Sequence, residues 1–99
     1  MICVIATIET NAGRREDLLA VFEKLVPQVR AEKGCLEYTP MIDVACDLAP
    51  ARPNVVTMVE KWESLAALMA HLQTPHMAEF RRQTEPLRLN LSLQVLQQG

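Results

Sequence analysis

The chain opens on Met1-Ile2-Cys3-Val4-Ile5-Ala6-Thr7-Ile8-Glu9, a β-branched run that is apolar at both odd and even positions. Successive side chains of a strand point to opposite faces of its sheet, so such a run demands burial on both sides. Its length is far short of the roughly 20 apolar residues that cross a bilayer, and it carries no basic leader of the signal-peptide kind. The segment therefore predicts a central strand of a soluble domain, with helices on one face and a second cover on the other. Ninety-nine residues, 49% apolar and 22% charged, suffice for a single domain, residues 1–99, with one core.

The rest of the pattern supplies the helical cover. Asn11-Ala12-Gly13 signals a turn. From Arg14 to Lys33 the residues Leu18, Phe22, Leu25 and Val29 recur at helical spacing, with Leu19 and Val26 widening the stripe. Pro27 lies inside this helix and predicts a bend or break near residues 23–27. Gly34 stands where a helix-stopping C′ residue belongs. Cys35 to Val44 reads as a second strand with Leu36, Tyr38, Pro40 and Ile42 on one face, and Pro40 marks an edge position or a bulge.

Residues 46–54, with Pro50 and Pro53, read as a loop. Val55 to Trp62 is a third strand, with Val56, Met58, Glu60 and Trp62 on one face. Ser64 caps a short helix over residues 65–72. Thr74-Pro75 caps and opens another through about Thr84. The last strand sets Leu87, Leu89, Leu91, Leu93 and Val95 against Arg88, Asn90, Ser92 and Gln94.

This order, β-α-β-β-α(α)-β, predicts an α+β ferredoxin-like split βαβ fold with an antiparallel four-stranded sheet. Helices cover one sheet face. The apolar residues on the other face predict a homodimer with sheets packed against each other.

Charge and cysteine usage narrow the function classes. The net charge is −2 and the basic residues are scattered, so no phosphate-tracking stripe exists and nucleic acid is excluded as a partner. The three cysteines match no metal spacing and predict free thiols in a reducing cytoplasm.

The residues suited to chemistry cluster between Trp62 and His76, which include the only tryptophan and both histidines. The indole of Trp62 offers a stacking surface and an N–H donor, against the plainer reading of a core filler. His71 and His76 are candidate bases toward a phenol. The ordinary reading of His71 is a bond to backbone or to Glu63, and that of His76 is a surface position. Two histidines without a third ligand at suitable spacing predict no metal site.

Tyr38 and Glu60 are candidate substrate contacts. The favoured plain reading of Glu60 is an ion pair with Arg81 or Arg88. Met58 and Met77 suit an adaptable apolar lining for a flat ligand, or simple core filling.

Five segments in order resemble the antibiotic biosynthesis monooxygenase family, and within it the small quinol monooxygenase-like proteins. They are Met1-Ile2, Gly13 before the first helix, Glu32-Lys33-Gly34-Cys35-Leu36-Glu37-Tyr38, Glu60-Lys61-Trp62-Glu63-Ser64, and His71-Leu72-Gln73-Thr74-Pro75-His76-Met77. The resemblance implies a dimeric α+β barrel with a pocket between sheet and helices. It implies oxidation of a quinol or polycyclic phenol by O₂ with no cofactor. A ligand-binding module without catalysis is the alternative. Haem degradation is disfavoured, because haem-degrading relatives use an asparagine on the first strand and Asn11 lies in the turn beyond it.

Overall fold

The computed structural model describes all residues from Met1 to Gly99. It contains β1 (Ile2–Thr10), α1 (Arg15–Arg30), β2 (Cys35–Met41), β3 (Val55–Trp62), α2 (Leu65–His71), α3 (Pro75–Thr84) and β4 (Arg88–Leu96). The sheet order is β2-β3-β1-β4 and every neighbouring pair is antiparallel, which is the ferredoxin-like arrangement. β1 is a central strand, as its two-sided apolarity requires. No helix is long and apolar enough to cross a membrane.

The core lies between the sheet and the helices. Val4, Ala6 and Ile8 of β1 and Val56, Met58 and Trp62 of β3 face Leu18, Phe22, Leu25 and Val29 of α1. Glu16 and Asp17 in the first turn of α1 and Arg30 in its last complement the helix dipole. Pro27 does not break the helix, contrary to the expected interruption. It sits one turn from the end, so its missing N–H forfeits a single bond that packing of Leu25 and Val29 outweighs.

The helix is shorter than its charge pattern suggests, because Glu32 to Gly34 form a turn rather than a last helical turn. Gly34 takes φ +87°, and a Cβ built there would stand 2.6 Å from the Ala67 Cβ. The glycine thus serves a left-handed turn and a close approach to α2, together with a bond from Glu63 N to its carbonyl oxygen.

Two irregularities change which side chains face the core. β2 is bulged between Cys35 and Glu37, so Leu36 is pushed outward and exposed while Tyr38 pairs with Glu60 on the buried face. The expected common face of Leu36 and Tyr38 is corrected accordingly. β2 also ends at Met41, where the backbone turns away. A second irregularity falls between Glu9 and Thr10, where Thr10 pairs with Arg88 and Glu9 with Asn90. Leu89 is the extra residue. Arg88 therefore shares the helix-facing side with Leu91, Leu93 and Val95, and Leu89 leaves it. The unbroken alternation read from the sequence is corrected here too.

The helices pack over β1 and β3 and over the start of β2, leaving β4 at the far edge partly uncovered. Leu93 remains 57% exposed although its strand partner Ala6 is buried. The three cysteines are free.

Candidate active site

Caps and turns aim the functional side chains before any tertiary contact is considered. The Ser64 hydroxyl accepts from Ala67 N at 3.1 Å and starts α2, which ends on His71. Thr74 accepts from Met77 N, and its hydroxyl donates to the His71 carbonyl at 2.9 Å. One threonine thus ties the end of α2 to the start of α3, holding His71 and His76 on either side of a single cap.

Glu32 completes the arrangement. Its carboxylate oxygens lie 2.9 and 3.1 Å from His71 Nδ1, and one lies 2.6 Å from His76 Nε2. The bond expected from His71 to backbone or to Glu63 is replaced by this one. His71 is 2% exposed, Glu32 13% and His76 22%, so the three groups form a chain from the interior to the surface. An ionised carboxylate only accepts, so both ring nitrogens that touch it donate. In neutral His71 this leaves Nε2 with the free lone pair. Burial is the chief cause that lowers the His71 pKa below its ordinary value, opposed by the carboxylate of Glu32. The imidazole is accordingly neutral near pH 7.

Trp62 and Tyr38 wall in that imidazole. The Trp62 ring centroid is 4.6 Å from that of His71, tilted by 35°, and the Tyr38 ring meets it edge-on at 5.6 Å. Trp62 Nε1 donates to Glu60 Oε1 at 3.1 Å, and no arginine pairs with Glu60, so the expected ion pair with Arg81 or Arg88 is corrected. Burial dominates the Glu60 environment and pushes its pKa up to about 7, with the Trp62 bond pulling the other way and Glu32 adding to the rise. Burial also raises the phenol of Tyr38 above its ordinary range.

A cavity of about 340 Å³ lies between these groups and the open part of the sheet. Tyr38, Met58, Glu60, His71 and Met77 line it, with Arg81 and Arg88 among its few other polar groups. Trp62 and His76 do not. Trp62 stands one layer back, behind His71 and Glu60. His76 lines a separate polar groove between α1 and α3. Five of the seven residues singled out from sequence thus meet at one cavity. The other two support it through His71.

Glu32 was missed because nothing local marks it. Its partners lie 39 and 44 residues away. The one available signal was its place two residues before Gly34, in the junction that carried the family likeness. It also supplies the third ligand whose absence argued against a metal. The ligand atoms of Glu32, His71 and His76 lie within 4.8 Å of one another and could hold a divalent cation. As arranged, they are satisfied by hydrogen bonds among themselves.

Comparison with known proteins identifies the family and the fold. The chain is 41% identical over 103 residues to "Probable quinol monooxygenase YgiN" of Escherichia coli, covering 100% of this chain and 99% of that one. Among solved structures it resembles PA3566 from Pseudomonas aeruginosa, at 33% identity and a TM-score of 0.85 over 99% of this chain and 93% of that one. Rv0793 from Mycobacterium tuberculosis gives 25% identity and a TM-score of 0.82, over 99% and 94%. The family model described as antibiotic biosynthesis monooxygenase matches residues 1–83, and the chain belongs to that family.

Proposed function

We propose that the protein is a cofactor-independent monooxygenase that oxidises a quinol or polycyclic phenol with O₂ in the cavity lined by His71, Tyr38 and Glu60. The observation that carries this reading is a neutral histidine, backed by a carboxylate, at the wall of a largely apolar cavity. The name printed for the Escherichia coli relative supports the substrate class.

His71 Nε2 accepts the phenolic proton while Nδ1–H stays on Glu32, which stabilises the imidazolium that forms. The resulting phenolate transfers one electron to O₂. Recombination of the two radicals forms a C–O bond, and the hydroperoxide so made loses water. One oxygen atom enters the ring and the other leaves as water, with all four electrons supplied by the quinol. The apolar walls formed by Met58 and Met77 suit a flat ring and limit water, which shortens the life of radical intermediates. His76, on the outer side of Glu32, is placed to exchange protons with solvent. Its role is indirect, as is that of Trp62.

The active form in this reading is a homodimer in a reducing cytoplasm, closed over the sheet face that carries Ile5, Thr7, Thr57 and Val59. The alternative of binding without turnover is favoured by one observation: a single histidine lines the cavity.

Oxygen uptake by metal-stripped protein across a panel of hydroquinones and anthrones tests the proposal. Turnover that His71→Ala abolishes supports it. No uptake with any member, while the same compounds bind, leaves the binding role.

A further inference from the structure

The bulge in β4 has a chemical consequence at the cavity. By alternation alone, Arg88 would lie on the outer sheet face beside Asn90 and Ser92. The extra residue Leu89 reverses it, so that Arg88 pairs with buried Thr10 and lines the cavity with Leu91, Leu93 and Val95. Bulges are used in this way to re-aim a side chain near a site. Placing a guanidinium against an apolar wall is costly unless it is paired.

Nothing in the chain pairs it. Arg88 Nε is buried without a hydrogen-bond partner, and its one bond runs from Nη2 to the Arg81 carbonyl at 3.4 Å. Arg15 holds the other such nitrogen, but at the start of α1, away from the cavity. Arg81, which also lines the cavity, donates only to the Leu72 carbonyl at 3.0 Å. No carboxylate lies within 4.0 Å of either guanidinium, although Arg14, Arg52 and Arg82 each have one. The cavity's own carboxylate, Glu60, is engaged by Trp62.

Two guanidiniums, each with unused donors, line one largely apolar space. We infer that the cavity takes an aromatic ligand bearing a carboxylate, which Arg88 and Arg81 bind together while the ring lies against the methionines and leucines. A planar carboxylate matches the guanidinium fork and supplies the counter-charge that neither arginine has within the chain. The inference rests on the cavity being the substrate site, and it narrows the substrate class to acidic phenols and quinols.

Calorimetric titration of the 99-residue chain with 1-naphthol and with 1-hydroxy-2-naphthoate tests this. Both are flat phenols of similar size, and they differ by the carboxylate. The acid is expected to bind on the order of tenfold tighter or more, with the preference shrinking as salt rises. Arg88→Gln should bring the acid's affinity down towards that of naphthol measured on the same variant. Arg88→Lys should keep part of the preference. Because Arg88 is half-buried, a melting curve accompanies each variant, and exposed Arg81→Gln provides a second arm if Arg88→Gln does not fold. Equal affinities for the two ligands, or a preference surviving in both glutamine variants, overturn the inference while the cavity reading stands. Failure of both ligands to bind overturns the two together.

Discussion

Glu60 ties the stability of this fold to pH in a direction opposite to that of most carboxylates. Its folded pKa of about 7 lies above the 4.5 of an unperturbed glutamate, with burial the main cause. Between those values the unfolded chain releases the Glu60 proton and the folded chain keeps it. The Glu60 contribution is therefore complete below pH 4.5, declines as pH rises, and is gone above pH 7. A difference of about 2.5 in pKa corresponds to about 3.5 kcal/mol, an upper figure, at about 1.4 kcal/mol for each step of one. His71 works the other way. Its pKa is lowered on folding, so its contribution is complete above pH 6.5 and is lost as pH falls through the folded value.

The two effects overlap, and a difference measurement separates them. Glu60→Gln keeps an oxygen that can accept from Trp62 Nε1 and removes the titration. Urea unfolding of the natural protein and of Glu60→Gln at pH 5, 6, 7 and 8 gives the stability gap between them. Stability of the variant relative to the natural protein should rise across this series by about 2 to 3 kcal/mol. The curve of the variant alone should keep the His71 slope. A gap that stays constant with pH, or that moves in favour of the natural protein as pH rises, would refute the assignment of a raised pKa to a buried Glu60.

Four further outcomes follow from the geometry. Glu32→Gln presents an N–H₂ to one of its histidines and removes the charge that opposes the imidazolium, so kcat should fall about 10- to 100-fold; ¹⁵N chemical shifts of His71 would show the tautomer change, and unchanged shifts with full turnover would contradict the orienting role. Trp62→Phe strips the buried Glu60 of its donor and thins the wall behind His71, costing about 2–4 kcal/mol by thermal or urea unfolding; a loss under 1 kcal/mol would mean that the indole bond is not made in solution. Gly34→Ala must adopt φ +87° with its Cβ 2.6 Å from that of Ala67, so it should cost at least about 1–3 kcal/mol and loosen the Glu32 turn; a neutral change in melting temperature would contradict the close approach. In the proposed homodimer, Val59→Lys places a charge at the centre of the paired sheet face and should yield monomers by light scattering; a monomeric natural protein would refute the dimer, and a dimeric one whose mass the variant leaves unchanged would move the interface elsewhere.

Much of this protein was legible along the chain because the signals are local. The period of two in residues 55–62 and 1–10, the helical stripe from Leu18 to Val29, and the caps at Ser64 and Thr74 each depend on neighbours within a few residues. They were sufficient for the element order, the sheet face of Glu60 and Trp62, and the family. Tyr38, Met58, Glu60, His71 and Met77 were candidates on the same footing as Trp62 and His76, each with a plain structural alternative, and nothing local distinguished the five that line the cavity from the two that do not. Pro27 shows the limit of a local rule: one lost bond near a helix end is outweighed by packing that the rule does not see.

What tertiary structure alone decided is how groups distant in sequence meet. Glu32 has no distinguishing neighbour, yet the Gly34 turn carries it to both histidines and turns two isolated imidazoles into a linked chain. Trp62, a candidate to stack on a ligand, is set behind His71 because β3 is covered by helices at that end. Two single-residue bulges, at Leu36 and Leu89, reverse which side chains face inward. A sheet has a side-chain period of two, so one extra residue moves every later side chain to the other face, and only pairing with the neighbouring strand reveals where that residue falls. That is why Arg88, polar by alternation, stands in an apolar cavity with an unpaired nitrogen.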